Sequence, residues 1–151
     1  YDIKAYLEEK IAEFHMAVLQ KGVEIQLKAE ADMPQVWMDR DKMDHIVDNL
    51  LSNALKYTEK GIIYITVRTT KKWSIEVKDT GIGIPKEEQR NIFHEYYRAQ
   101  NAMNFQETGS GIGLMITRRI VKQHHGDISF SSTEGKGTIF TVTFPLKIKL
   151  G

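Results

Sequence analysis

The sequence contains no cysteine. A disulfide framework, a thiolate metal site and a thiol nucleophile are therefore excluded, and the absence fits a reducing compartment. Charge of either sign is not in excess: 21 Lys and Arg against 20 Asp and Glu leave a formal net charge of +1. No strong field points to nucleic acid or to an anionic membrane. The longest purely apolar run lies within Gly61 to Val67, far below membrane-spanning length. No signal peptide opens the chain, and no internal repeat or low-complexity segment interrupts it. The chain begins at Tyr1 inside a helical pattern, so a piece of a longer protein is expected. What is present is ordinary for a globular domain: 151 residues, 41% hydrophobic and 27% charged, enough to bury a real core.

Leu7, Ile11, Phe14 and Val18 recur three or four apart and predict one helix over Ile3 to Lys21, stopped by Gly22. Val23, Ile25, Leu27 and Ala29 alternate as a strand. A turn is expected over residues 31–34 and a short strand over Val36 to Met38. Asp39 or Asp41 would cap a helix running to about Tyr57. A hairpin follows, with Ile63, Ile65 and Val67 alternating in one strand and Trp73, Ile75 and Val77 in the next. Pro85 suits the first residue of a short helix to about Phe93. Ala99 to Thr108 is polar and reads as a mobile loop. A helix from Gly113 through Val121 ends near His125-Gly126, and strands over about Asp127 to Ser132 and Thr138 to Phe144 close the chain. This order predicts an α/β two-layer sandwich, a mixed and mostly antiparallel sheet with about three helices on one face.

The chain is organised around Asp79-Thr80-Gly81-Ile82-Gly83-Ile84-Pro85. Asp79 continues the inward phase of Trp73, Ile75 and Val77, which aims a carboxylate at the apolar side of a sheet, where an unpaired charge is costly. Glycines follow at once and open the backbone. The site suits a ligand that donates hydrogen bonds; a structural aspartate capping a loop is the alternative.

Two further stretches carry candidate chemistry. On the helix Asp41 to Tyr57, Asn49, Asn53 and Lys56 fall within roughly 60° of one another, largely opposite the apolar arc, as a ridge away from the core. A solvated polar face would look the same. Asparagine is nevertheless a poor helix former, its carbonyl suits a hard cation such as Mg²⁺, and a lysine one turn along suits phosphate. Gly109-Ser110-Gly111-Ile112-Gly113-Leu114 opens a helix and forms a generic phosphate cradle. A polar loop, not a strand, precedes it, which rules out the dinucleotide fingerprint. Ile92 to Arg98 packs aromatics beside an arginine, as a core anchor or as a terminal-phosphate contact. Gly135-Lys136-Gly137-Thr138 is a hairpin turn that places a small hydroxyl.

In this order the stretches resemble the ATP-binding catalytic domain of bacterial sensor histidine kinases, within the gyrase, heat-shock chaperone and mismatch-repair ATPase superfamily. Asp48 to Thr58 resembles the N box, Asp79 to Ile84 the first glycine box, Ile92 to Arg98 the F box, Gly109 to Leu114 the second glycine box, and Gly135 to Thr138 the final glycine-threonine element. The resemblance spans about Ile3 to Pro145. It implies a Bergerat-type ATP-binding fold, a single domain over residues 1–151, and an ATP lid over about residues 99–110.

It also implies roles. Asp79 would accept a hydrogen bond from the adenine amino group, beside Gly81, Gly83 and Ile84, and Thr138 would help seat the base. Asn49 and Asn53 would coordinate Mg²⁺, with Lys56 and Tyr57 near the phosphates and sugar. Gly109, Ser110, Gly111, Ile112, Gly113 and Leu114 would cradle the phosphates, and Arg98 would orient the γ-phosphate. Asn49, Lys56 and Arg98 would be catalytic in transfer from Mg·ATP to a histidine in two-component signalling.

The departures from the family pattern are mild: Ser110 for threonine, Ile112 for leucine, and Tyr96-Tyr97 for a phenylalanine-containing pair. The phosphoacceptor motif is absent, since Met16 and Ala17 follow His15 where the family has an acidic residue and then a proline. His45 reads as solvated, His94 as packing or solvated, and His124 and His125 as caps of a helix end. The expected partners are an acceptor-histidine helical domain of the same parent and a response regulator receiver domain. No nucleic acid or direct membrane contact is expected. The piece would be monomeric, and its parent a homodimer holding this domain in the cytoplasm, anchored to a membrane. The competing readings are a non-catalytic nucleotide sensor or docking module, a gyrase- or chaperone-type ATP hydrolase using Asp48, and an anti-sigma-type serine kinase.

Overall fold

A computed structural model describes residues 1–30, 33–93 and 113–146. The expectations for Ala31-Asp32, His94, Tyr96-Tyr97, Arg98, the lid at 99–110 and Gly109 to Ile112 lie outside the described residues. The elements are α1 (Ile3–Glu13), α2 (His15–Lys21), β1 (Val23–Ala29), α3 (Arg40–Tyr57), β2 (Gly61–Thr69), β3 (Lys72–Asp79), a 3₁₀ helix (Lys86–Asn91), α4 (Gly113–Gln123), β4 (Asp127–Thr133) and β5 (Gly137–Pro145).

The strands form one sheet in the order β1-β2-β3-β5-β4. β1 and β2 are parallel, joined through α3 as a parallel pair requires, and the other pairs are antiparallel. The register stacks the alternating residues into rows. One row runs Leu27, Ile65, Val77, Phe140 and Phe130; the next runs Ala29, Val67, Ile75, Val142 and Ile128. These rows face the helices, while the opposite face carries Thr66, Glu76, Thr141 and Ser129. The predicted two-layer α/β sandwich is the observed fold.

Three local expectations are corrected. The single helix over Ile3 to Lys21 is two, because Phe14 leaves helical geometry (φ −90°, ψ 2°). The break lets α2 turn onto β1 while Ile11, Phe14 and Val18 all still pack against the core, so the apolar period runs through it unmarked. Gly22 ends α2 with φ +69°, as its position predicts. Val36 to Met38 is not a strand. Val36 forms one reciprocal pair with Tyr1, N–H to carbonyl at 2.8 and 2.9 Å, and Trp37 beside it is 66% exposed. The helix after Pro85 is 3₁₀ over Lys86–Asn91, with Pro85 outside it at ψ 137° and its carbonyl accepting from Glu88 N–H at 2.9 Å.

α1 is tied to α3 by Lys10, whose side chain is 4% exposed and whose Nζ lies 2.8 Å from Asp48, 3.0 Å from Glu13 and 3.4 Å from Asp44. Tyr6 donates to Asp44 at 2.6 Å. Burial alone would lower the Lys10 pKa, but the carboxylates more than offset it and the ammonium is held above its ordinary range. Lys10→Met would leave Asp44 and Asp48 facing each other without the cation. Both keep some water, so the expected loss is about 2 kcal/mol, below that of a fully buried pair. It would be read as a lower urea midpoint at unchanged m.

Candidate functional site

At one end of the sheet the inward-facing row turns polar. Asp79 on β3 follows Val77 and pairs with Ile63. Thr138 on β5 precedes Phe140, and Ser132 on β4 follows Phe130 and pairs with Thr138. Asp79 is 8% and Thr138 6% exposed. Asp79 Oδ1 accepts from Gly81 N–H at 2.9 Å and from Thr138 N–H at 3.2 Å. Among the described residues Oδ2 accepts nothing. Burial pushes the carboxyl above the ordinary aspartate range, against the two backbone N–H groups, which pull it down.

The glycine loop is clamped from both sides. Ile82 N–H donates to the Tyr57 carbonyl at 3.0 Å at the end of α3, and the Ile82 carbonyl accepts from Gly135 N–H at 2.7 Å in the β4–β5 turn. A Cβ at Gly83 (φ +70°) would lie 2.2 Å from the Thr133 carbonyl oxygen. Ile84 N–H donates to Ser132 Oγ at 2.8 Å, and Gln89 Nε2 donates to the carbonyls of Ile84 and Ser132 at 3.1 and 2.9 Å.

Asp39 caps α3 by accepting from Lys42 N–H at 3.2 Å. The asparagine ridge does not simply face away from the core, as its phase predicts. Asn49 Nδ2 donates to Thr117 Oγ1 on α4 at 3.0 Å, and Thr117 is 0% exposed. The ridge therefore borders the α3–α4 interface, a second helix that periodicity within α3 does not reveal. Asn49 keeps its carbonyl oxygen free of that bond, and Asn53, half-buried, makes no side-chain hydrogen bond among the described residues. Lys56 and Tyr57 are half-buried, and Lys21 Nζ donates to the carbonyls of Leu55 and Lys56. Asp48 points the other way, to Lys10.

Gly113 is the first residue of α4, one turn before Thr117, and Leu114 packs against the core. Thus Asp79, Gly81, Gly83, Ile84 and Thr138 meet at the sheet end, the last turn of α3 abuts this loop through Tyr57, and Asn49 joins α3 to α4. In the F box stretch Ile92 is buried and Phe93 packs edge-on against Phe130 at 6.0 Å, beneath the Arg118 guanidinium at 5.7 Å. The core-anchor reading holds for these two. His124 Nδ1 lies 2.9 Å from the Ile120 carbonyl, in keeping with a cap, and His125 takes φ +61° where the helix ends. Sequence reasoning missed Ser132 and Gln89. Ser132 carried the same signal as Asp79, a polar residue in an inward strand phase.

Asn49 and Asn53 stand one turn apart on α3, amide oxygens are the hard donors that Mg²⁺ takes, and Asp79 Oδ2, which accepts nothing among the described residues, suits a ligand N–H. A family model described as histidine kinase-, DNA gyrase B-, and HSP90-like ATPase matches residues 38–148. The chain is 40% identical over 139 residues to the adaptive-response sensory kinase SasA of Synechococcus sp. (strain JA-3-3Ab), covering 90% of this chain and 36% of that protein. It is 41% identical over 116 residues to the sensor histidine kinase WalK of Bacillus subtilis (strain 168), covering 74% of this chain and 19% of that protein. The fold superposes with a TM-score of 0.85 on full-length ShkA in complex with AMPPNP, at 24% identity, covering 100% of this chain and 31% of that one. The chain spans 36% or less of the length of these relatives.

Proposed function

This chain belongs to the histidine kinase-, DNA gyrase B- and HSP90-like ATPase family, and we propose that it binds Mg·ATP and presents the γ-phosphate to a histidine on a separate helical domain of its parent protein. The observation that carries this reading is the pairing of a buried carboxylate, one oxygen held by backbone N–H groups and the other unpartnered, with two asparagines on the adjoining helix. Asp79 accepts from the adenine amino group, and the backbone of Gly81, Gly83 and Ile84 shapes the wall around it. Asn49 and Asn53 would hold Mg²⁺ through their carbonyl oxygens, the metal would offset phosphate charge, Lys56 would add a cation for the phosphates, and Tyr57 would lie near the sugar. Gly109, Ser110, Gly111, Ile112, Gly113 and Leu114 offer backbone N–H groups to the phosphates and Arg98 orients the γ-phosphate, roles that rest on the family resemblance. The contribution of the chain is positioning and charge stabilisation.

Residues 1–151 form one ATP-binding domain with its lid at about 99–110, within a longer two-component sensor protein. The partners are an acceptor-histidine domain and a response regulator. The domain is monomeric by itself, in a dimeric parent that holds it in the cytoplasm at a membrane anchor. Among the described residues no helix is long and apolar enough to cross a membrane. The sequence relatives named as a sensory kinase and a sensor histidine kinase support this reading over a docking module. Against the hydrolase reading stands Asp48, 2.8 Å from Lys10 Nζ and so engaged away from the asparagine face.

Calorimetric titration with AMPPNP, with Mg²⁺ and with EDTA, tests the proposal. Micromolar binding that weakens without Mg²⁺ is expected, and no binding at millimolar analogue would overturn it. In Asn53→Ala, affinity with Mg²⁺ should fall about tenfold, the cost of one lost charge-assisted contact, while affinity in EDTA stays near wild type. Equal loss in both conditions would remove Asn53 from the metal.

A further inference from the structure

Ser132 Oγ stands at the centre of three contacts. It accepts from Ile84 N–H at 2.8 Å, donates to the Gly137 carbonyl at 3.0 Å, and lies 2.8 Å from Thr138 Oγ1. Each hydroxyl has one proton and two lone pairs. A carbonyl only accepts, so the Ser132 proton serves Gly137, and the Thr138 proton must then point to Ser132 Oγ. This assignment fills Ser132 completely, with two bonds accepted and one given. The reverse, Ser132 donating to Thr138, makes one bond fewer in a half-buried place. Thr138 is 6% exposed, and its backbone N–H is bound to Asp79 Oδ1 at 3.2 Å. With its proton committed, Thr138 Oγ1 offers lone pairs only, on the residue whose own N–H holds the Asp79 carboxylate through Oδ1.

We infer that Ser132 is a specificity-determining positioning residue: by taking up the Thr138 proton it leaves two neighbouring acceptors at the base site, which favour a purine bearing an exocyclic amino group over one bearing a carbonyl there. The inference rests on the nucleotide reading above and adds to it the source of base selectivity. Ser132 acts through Thr138 and Ile84 and does not itself meet the base.

The test compares ATP with ITP, in which a carbonyl replaces the amino group, by calorimetry on the wild type, Ser132→Ala and Ser132→Thr. In Ser132→Ala the Thr138 hydroxyl is released to donate, so the preference for ATP over ITP is expected to narrow about fivefold or more, the scale set by one mispaired polar group in a base pocket. Ser132→Thr keeps the hydroxyl and should restore the preference. Loss of both affinities by the same factor would reduce Ser132 to a prop for Ile84 and overturn the inference, as would an unchanged ratio. The nucleotide-free protein supplies a second readout. A slowly exchanging Thr138 hydroxyl proton, observed by NMR in the wild type and lost in Ser132→Ala, is expected; a Ser132 proton directed at Thr138 would overturn the assignment. If the wild type binds neither nucleotide, the nucleotide reading falls, while the nucleotide-free spectrum still decides the hydroxyl arrangement.

Discussion

Asp79→Asn is expected to weaken ATP binding about tenfold or more, from a lost charge-assisted bond of about 1.5–3 kcal/mol, and to leave the nucleotide-free chain at least as stable as the wild type. The two halves follow from the two carboxylate oxygens. Oδ1 accepts from Gly81 and Thr138, and an amide oxygen can accept both. Oδ2, the atom assigned to the adenine amino group, becomes an NH₂ that confronts another donor. The stability half follows from burial, which raises the folded pKa of Asp79 above its ordinary value. A carboxyl with a raised folded pKa contributes stability below its unfolded pKa and loses it as the pH rises through the folded value. Above the folded value the wild type has taken that loss, and the uncharged amide has none to take at any pH. Calorimetry with AMPPNP and a thermal melt at pH 7 separate the outcomes. Wild-type affinity in the variant would remove Asp79 from the base contact; a large drop in melting temperature would make it a structural cap, the alternative that its position in the loop allows.

Why Asp79 was legible, and its neighbours less so, is a matter of range. Strand phase is local, so three apolar residues at alternate positions were enough to predict that Asp79 points inward, and the register confirms it opposite Ile63. The same argument applies to Ser132 after Ile128 and Phe130, but a serine at a strand end also reads as the start of a turn. Its meaning appears only when Ile84, Gly137 and Thr138 surround it. Asn49 shows the limit differently: its phase on α3 is right, and its partner Thr117 lies 68 residues along the chain. Val36 fails for the same reason, since its pairing is with Tyr1, 35 residues back. Lys10 reads as an ordinary helix charge until α3 brings Asp44 and Asp48 to it from one face. The break at Phe14 is hidden by an apolar period common to both helices. Periodicity thus supplied the layers and the inward polar positions, and long-range hydrogen bonds decide which of them form a site.

Gly81→Ala should be strongly damaging, with ATP binding reduced at least about tenfold and stability lowered by about 2–4 kcal/mol, overpacking added to a lost hydrogen bond. A Cβ at Gly81 would lie 2.1 Å from the Tyr57 carbonyl oxygen and 3.0 Å from Asp79 Oδ1. The first is helix-end backbone and cannot swing aside as a side chain can. The loop would have to lift from α3, stretching the 3.0 Å bond from Ile82 N–H to Tyr57 and drawing Gly81 N–H from the carboxylate it orients. One methyl group therefore separates the base contact from the helix that carries the asparagines. Gly135→Ala is the matched control. Gly135 has φ +83° with nothing within 4 Å of an added Cβ, so its cost is conformational, about 1–2 kcal/mol, and it should retain ATP affinity. Because Gly135 also sits in the clamp on Ile82, the pair distinguishes strain in the turn from obstruction at the α3 contact. Equal loss of binding in both variants would mean that the loop fails as one unit, and wild-type binding in Gly81→Ala would mean that its seat on Tyr57 does not set the pocket.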